Sequence, residues 1–593
     1  MPPRLPPLCP LPVCFLRLSS PDAMISVTFL STIENGMTKG SDVPLAHKSN
    51  ALGDAAPLTA AIYPFDHPHR ARPRALTDLL GGKGAGLAEM ISTLGINVPP
   101  GFTISVPLCQ RYRREGWPEG LDEAITLHTS RLGDRMGRRF GDHNDPLLVA
   151  VRSGAPVSMP GMLDTVLNLG LNEYTVEGLA KVSGDEKFAW DSYRRFLHMY
   201  ATTVMGVHCD ELYVGHSGDT TESLREHVVL LRERIRQVAG RDVPAEPTVQ
   251  LREAVEAVFR SWDSQRARTY RAKEGIDESM GTAVNVQAMV FGNRGLNSGT
   301  GVVFTRDPST GEAVLYGDYL PMAQGEDVVA GTAHTLPIAD LEQLHPAIYT
   351  ELQETLRRLE VHYRDVCDVE FTIENGRLWL LQTRAGKRSA VAAVRIAVDL
   401  VNDPDIRLTP TEAVSRVPAA VRQRARDEAL AHVGADDAAH DLVTTGLGAS
   451  PGRAVGRVVL TSDEAADADD DVILVRPETK PEDVAGMAAS VGLLTTKGGL
   501  VSHAAVVARG WNIPAVVGAQ DLTCSANGIH APSGLLIRVG DVITIDGTTG
   551  QVWRGAVTTP TDEIVIRAIE HELPQLPALE EWARQYAHEG EEQ

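Results

Sequence analysis

Val491 to Thr495 is an apolar run that reads as a strand. Thr496-Lys497-Gly498-Gly499-Leu500-Val501 reads as a loop, and Ser502-His503-Ala504-Ala505-Val506-Val507-Ala508-Arg509 opens an alanine-rich helix. A histidine in the first turn of a helix meets free backbone N–H groups and the positive end of the dipole, which disfavour imidazolium and stabilise a neighbouring anion. His503 is therefore predicted to be a neutral nucleophile able to carry a phosphoryl group. The same local pattern also fits a histidine that merely packs or caps.

A second constellation lies in Val369 to Arg384. Asn375-Gly376 invites a two-residue hairpin turn, which would set Glu370 opposite Leu381 and Asp368 opposite Thr383. A three-residue loop, Asn375-Gly376-Arg377, instead pairs Glu370 with Gln382 and Asp368 with Arg384 on one face, and Phe371 with Leu381 and Ile373 with Trp379 on the other. A one-residue slip inverts every side chain, so this segregation predicts the three-residue loop. Two carboxylates and a glutamine on one face can hold Mg²⁺, which takes oxygen ligands and keeps several waters. A solvated polar face of an amphipathic hairpin has the same pattern.

Gly82-Lys83-Gly84, Val151-Arg152-Ser153-Gly154 and Gly292 to Gly301 could each cradle phosphates. None fits the GxxxxGK[ST] loop, and alone each also reads as a structural turn, with Lys83 and Arg152 as surface charges.

The elements that must position these residues follow from pattern. Leu80 to Met90 reads as a glycine loop opening a helix that ends at Gly95, followed by a strand entered through Pro99-Pro100. Residues 172–280 are mostly helical and charged; strands return at Ala283 to Val290, Gly301 to Thr305 and Val369 to Ile373. Residues 386–440 read as a helical connector. A further block of short strands and helices closes with a hairpin at Val542 to Val552, and the tail from 557 to 593 is acidic and helical around Ile564 to Ile569 and Leu579 to Tyr586. This is an α/β and α+β multidomain chain, with residues 1–75 expected to be a disordered leader or an overlong start.

A length of 593 residues suggests three or four domains. A formal charge of -22 argues against a nucleic-acid binder or a polybasic membrane anchor. The six cysteines show no CxxC spacing, which suits a reducing cytoplasm. No apolar run approaches the roughly 20 residues that span a bilayer. Six prolines in the first twelve residues would break the helical core of a signal peptide.

Taken together, these segments resemble the pyruvate, phosphate dikinases from about residue 76 to 555. The resemblance is carried by GGKGAGLAEM (81–90), VPPGFTIS (98–105), VRSGAPVSMPGMLDTVLNLGLN (151–172), AVNVQAMVFGN (283–293), TGVVFTRDPSTGE (300–312), AQGEDVVAGT (323–332), VEFTIENGRLWLLQTRAGKR (369–388) and GGLVSHAAVVARGW (498–511). It implies an ATP-grasp-like nucleotide-binding domain over 76–385 with a helical insertion about 172–280, a linker over 386–440, and a swivelling phosphohistidine domain over 441–556. By matching position, Lys83, Arg152 and Arg195 would hold ATP phosphates. Asp368, Glu370 and Gln382 would serve Mg²⁺ and the triphosphate, with Glu370 and Gln382 as metal ligands and Arg384 in support. Gly299 and Gly301 would lie in a loop over the nucleotide. His503 would attack the β-phosphorus of ATP and release AMP, and phosphate would leave with the outer phosphoryl group as pyrophosphate.

Three departures qualify the resemblance. Val501 stands where the family has a threonine, so control by phosphorylation there is not expected. Asn512 to Gly518 looks more like the wider phosphohistidine family. The family ends in an α/β barrel of roughly 250 residues that binds pyruvate and phosphoenolpyruvate, whereas 38 residues follow Gly555. The expectation is thus an ATP half-reaction, with pyruvate reached through a separate barrel protein that the tail could dock; a homodimer is compatible with this reading. The rivals are a non-catalytic phosphocarrier or regulatory partner, and a kinase for a different small acceptor.

Overall fold

A computed structural model describes residues 58–159, 161–215, 220–329, 335–431, 442–556 and 571–589. The first structural part is built on two five-stranded antiparallel sheets. The first sheet has the order Ile62–Pro64, Gly101–Ile104, Ala283–Ala288, Val149–Gly154, Thr165–Leu169. Its edge strand corrects the boundary placed at residue 76. Ile62 pairs with Ile104 and Phe65 is 1% exposed, so residues 58–75 belong to the fold because their apolar side chains complete its core. Residues 1–57 lie outside the described residues.

Helices Thr175–Ser183, Glu186–Thr203, Thr221–Ala239, Pro247–Ser261 and Gln265–Glu274 fill the region read as helical and charged. The apolar faces of the first four, including Phe196, Leu231 and Phe259, join Val149, Val166 and Val286 of the first sheet in one core, while Ala267 and Tyr270 of the fifth pack in a separate cluster with Trp262. An apolar stripe on an otherwise charged helix must be buried somewhere, and here the sheet receives it.

The second sheet has the order Leu336–Pro337, Tyr316–Pro321, Gly299–Phe304, Cys367–Glu374, Arg377–Ala385. The helix Thr77–Ser92 touches both sheets. It is kinked at Gly81, whose φ of 67° and ψ of 164° leave the helical region. A Cβ there would lie 1.6 Å from Gly154 O, so only glycine lets the chain carrying Lys83 pass so close to the strand carrying Arg152.

The connector helices Ala390–Asn402, Pro410–Arg416 and Ala419–Ala431 share a core with Leu573, Leu576 and Leu579 around the tail helix Leu576–Glu589. Among the described residues of the tail, Leu573, Leu576 and Leu579 are therefore buried against the chain's own connector. The helix expected at Ile564 to Ile569 lies outside the described residues.

Residues 442–554 form an eight-stranded sheet in the order 442–445, 551–554, 542–546, 453–459, 472–476, 492–495, 515–517, 447–450. The four strands Arg453–Val459, Val472–Arg476, Gly492–Thr495 and Ala515–Val517 run parallel. The helix His503–Trp511 is the crossover between the last two of these, so His503 stands at the carboxyl edge of the parallel strands, where α/β sheets place ligands. Among the described residues no helix is long and apolar enough to cross a membrane.

Candidate active site

The hairpin between Cys367–Glu374 and Arg377–Ala385 satisfies both of the competing registers, each over half its length. Glu374 pairs with Arg377, so the loop is the two residues Asn375 and Gly376. Their φ angles of 50° and 74° fit the mirror-image turn that Asn-Gly favours. The three-residue loop is thus corrected. The pairing nevertheless shifts between Glu370 and Phe371, where Leu381 bulges out, so Glu370 faces Gln382 and Asp368 faces Arg384. Phe371 pairs with Leu380 and Ile373 with Leu378, all buried, in place of the expected Leu381 and Trp379. Trp379 is instead half-buried beneath the Arg377 guanidinium, 4.0 Å from its ring centroid.

The bulge brings the hairpin's polar face to the first sheet. Arg152 Nη2 donates to Glu370 Oε2 at 2.7 Å and to Gln382 Oε1 at 3.4 Å, while Nη1 reaches the carbonyl of the bulged Leu381 at 3.1 Å. Arg384 Nε donates to Asp368 Oδ2 at 2.6 Å, and its Nη2 stands 3.7 Å from Glu370 Oε1. Burial and the field of Arg152 bring Lys83 down to about 7, opposed by Glu370. Burial would push Glu370 up, but Arg152, Arg384 and Lys83 outweigh it and hold its carboxyl down at about 2. Burial raises Asp368 against the pull of Arg384, and its Oδ1 is buried with no hydrogen-bond partner.

Two sequence expectations are not joined to this cluster. Arg195 is held by Asp191 (Nε to Oδ2, 2.8 Å), Asp327 (Nη1 to Oδ1, 2.7 Å) and Glu326 (Nη1 to Oε1, 3.4 Å), a carboxylate nest that already satisfies its charge. Gly299 and Gly301 lie in the strand Gly299–Phe304, not in a loop over the nucleotide. Gly301 pairs with Phe371 on one side and Tyr319 on the other, and those rings stack 3° from parallel with centroids 6.4 Å apart. A Cβ at Gly301 would lie 2.7 Å from the Phe371 ring, so the missing side chain serves that packing.

His503 is the first helical residue after Ser502, as the sequence suggests, and Ser502's side chain caps none of the first-turn N–H groups. Its Nδ1 lies 3.0 Å from Thr479 Oγ1, and its Nε2 is buried without a partner. Burial alone lowers the imidazole to about 4, so it is neutral at physiological pH. When Nδ1–H donates to Thr479, the free lone pair is on Nε2. Facing it is the loop after Arg152, where a methyl group on Gly161 would lie 3.6 Å from Cδ2 and 3.9 Å from Nε2. One loop thus leads from the cation cluster to the imidazole. Sequence reading missed Thr479 and Gly161. The available signal for Thr479 was its place just past the end of Val472–Arg476, the parallel neighbour of the strand leading to His503.

Magnesium, which the resemblance implies, fits this donor set. Glu370 and Gln382 offer a carboxylate and an amide oxygen on one face, with the unpartnered Asp368 Oδ1 nearby. Among the described residues no group of three or more His, Cys, Asp or Glu could hold an ion unaided. Such a pair suits an ion whose remaining ligands are phosphates and water.

The molecule thus combines a cluster of cations and carboxylates between two sheets with a neutral, half-buried histidine on a separate α/β unit, and a single loop links the two. The chain belongs to the pyruvate phosphate dikinase family. The family's AMP/ATP-binding domain matches residues 77–126, 113–339 and 334–402, and the mobile domain of PEP-utilising enzymes matches 468–550. The chain is 49% identical over 512 residues to pyruvate, phosphate dikinase of Rhizobium meliloti (strain 1021), covering 81% of this chain and 56% of that protein. It is 44% identical over 524 residues to the Clostridium symbiosum enzyme, covering 84% of this chain and 58% of the relative. With the chloroplastic enzyme of Flaveria trinervia it shares 45% over 522 residues, covering 84% and 54%. The chain thus spans a little over half the length of these relatives.

Proposed function

We propose that this chain is an ATP- and Mg²⁺-dependent phosphotransferase that forms a phosphohistidine at His503, with AMP and pyrophosphate as products. The observation that carries the reading is the His503 imidazole, neutral, held at Nδ1 by Thr479 and unpartnered at Nε2. The Nε2 lone pair forms the bond to the β-phosphorus, and the bond from that phosphorus to the α–β bridging oxygen breaks, its electron pair leaving with AMP. Inorganic phosphate then takes the outer phosphoryl group as pyrophosphate, leaving one phosphoryl group on Nε2.

Lys83, Arg152 and Arg384 supply positive charge to the triphosphate, and Glu370 and Gln382, with Asp368, would hold Mg²⁺. That ion would neutralise charge building on the phosphate oxygens. Before ATP binds, Glu370 takes the place of phosphate and keeps the three cations from repelling one another. The nucleotide part has an ATP-grasp-like plan in this reading, and Arg195 contributes by fixing its carboxylate nest. The full reaction, in which the phosphoryl group passes to pyruvate and gives phosphoenolpyruvate, also needs a pyruvate-binding barrel, and its setting is the cytoplasm.

The test is to incubate the purified chain with ATP labelled at the β position, Mg²⁺ and phosphate. An acid-labile, base-stable label on His503 and release of AMP are expected; accumulation of ADP would refute the mechanism. Adding pyruvate alone is expected to yield no phosphoenolpyruvate, and an isolated dikinase barrel is expected to restore it.

A further inference from the structure

The histidine helix has nine residues, His503–Trp511, so its two ends lie about 12 Å apart at 1.5 Å per residue. His503 occupies one end and Trp511 the other. Trp511 is fastened to the nucleotide-binding part by the last two residues of the helix Gln265–Glu274. Its Nε1–H donates to Glu274 Oε1 at 2.7 Å, and the Lys273 ammonium stands 3.6 Å from its ring centroid. The ring also packs on a buried cluster containing Met159, Met162, Trp262, Tyr270 and Val484. Met159 and Met162 flank Gly161, the residue facing the imidazole. One apolar cluster therefore supports both the fastening of the helix and the loop at which its histidine points. Beside this contact, Lys387 Nζ would lie 2.5 Å from a Cβ on Gly510, so bare backbone is what admits the lysine there.

We propose that Trp511 is a positioning residue for His503: with Lys273 and Glu274 it forms a latch that fixes the far end of the histidine helix and keeps Nε2 against the loop that follows Arg152. The proposal rests on His503 being the phosphoryl carrier. The helix works as a lever, since a 10° tilt about its fastened end moves the imidazole by about 2 Å, enough to spoil alignment with a phosphorus atom. The latch also suits a unit that must leave. Lys273 and Glu274 are solvent-exposed, and a cation over a ring or a hydrogen bond in such a setting is worth only a few-fold each in an equilibrium. Broken together, these two contacts free the far end of the helix from the nucleotide-binding part, while Ala504, Ala505, Val507 and Ala508 keep it in the core of its own unit.

The experiment uses the full chain with a spin label on each part, and follows both the interdomain distance distribution and the rate of His503 phosphorylation from β-labelled ATP. Trp511→Leu is expected to slow phosphorylation roughly tenfold with KM for ATP unchanged, and to broaden the distance distribution. Trp511→Phe keeps the ring beneath Lys273 and loses the donor, so it recovers most of that loss. Glu274→Ala leaves the apolar cluster untouched and is expected to slow the step roughly threefold, which keeps the test available if Trp511→Leu does not fold. Wild-type rate and distances in Trp511→Leu, or in Glu274→Ala if only that variant folds, overturn the latch, as does an effect confined to KM. If the wild-type chain takes no label on His503, the carrier reading fails, while the distance distributions still decide whether the latch exists.

Discussion

Glu370 sits among three cations, whereas the His503 imidazole meets one hydroxyl and no charge. Arg152, Arg384 and Lys83 hold the Glu370 carboxyl at about 2 against the effect of burial, and burial unopposed takes His503 to about 4. The first site is made by excess of partners drawn from distant segments: Arg152 and Glu370 are 218 residues apart. The second is made by withholding partners. A site that must receive a polyanion needs its positive charge assembled beforehand, with a removable carboxylate to hold it together. A nucleophile needs a lone pair that neither a proton nor a hydrogen bond occupies.

The comparison breaks most completely at the histidine. His503→Ala is expected to abolish the acid-labile label from β-labelled ATP while thermal unfolding of the chain changes little, because a half-buried ring is lost and no charged pair is broken. Glu370→Gln is expected to slow the same step by about 10²-fold or more, since the cations lose the carboxylate that spaces them and Mg²⁺ loses an anionic ligand. Comparable labelling rates in the wild type and Glu370→Gln would remove the hairpin from the mechanism.

The pH dependence sharpens the same contrast. Thr479 and Gly161 stand beside the seated ring, and no charged group contributes to its shift. Released into water, the ring would lose the burial that lowers it and move back up towards its ordinary 6.5. Acid therefore protonates the released form first, and seating weakens as pH falls from 6.5 to about 4, with no further change below. Between pH 7 and 5 the ratio of seated to released chains is expected to drop several-fold, up to about twentyfold. Interdomain distances would follow it, and His503→Gln should flatten the curve. A titration midpoint for His503 near 6.5 in the seated chain would contradict the burial argument.

What the sequence made legible follows the same division. The strand, glycine loop and helix around His503 are local features, and all three stand where pattern places them. The cause of its neutrality was less legible: the sequence suggested the helix terminus, while the structure supplies burial by a loop more than 300 residues away. At the hairpin, alternation identified the right partners at Glu370 and Asp368 but assumed an unbroken ladder. The Asn-Gly turn and the Leu381 bulge together give the same pairing, and a bulge leaves no mark in a period-two pattern. Gly299 and Gly301 misled for a related reason, because a glycine under stacked rings reads the same as a glycine in a phosphate loop. The early strand Ile62–Pro64 was missed because three residues carry too little alternation to stand out.

Within this comparison Thr479 gives the smallest expected effect, and it isolates the hydrogen bond that the imidazole keeps. Valine has nearly the shape of threonine, so Thr479→Val removes a hydrogen-bonding atom while retaining most of the packing. A hydrogen bond of this kind is worth about 1 kcal/mol net, which corresponds to a roughly fivefold slower phosphorylation of His503. The loss has a specific cause. Without Oγ1 to accept from it, the ring proton is free to reside on Nε2, and the molecules in that tautomer have no lone pair to offer the phosphorus. Thr479→Ser keeps the hydroxyl and should restore the rate, whereas valine and serine variants that behave alike would show that the contact fills space and does not select a tautomer. Nitrogen chemical shifts of labelled histidine provide the independent readout: the wild-type ring should be protonated at Nδ1, and the Thr479→Val ring should show a mixture of the two forms.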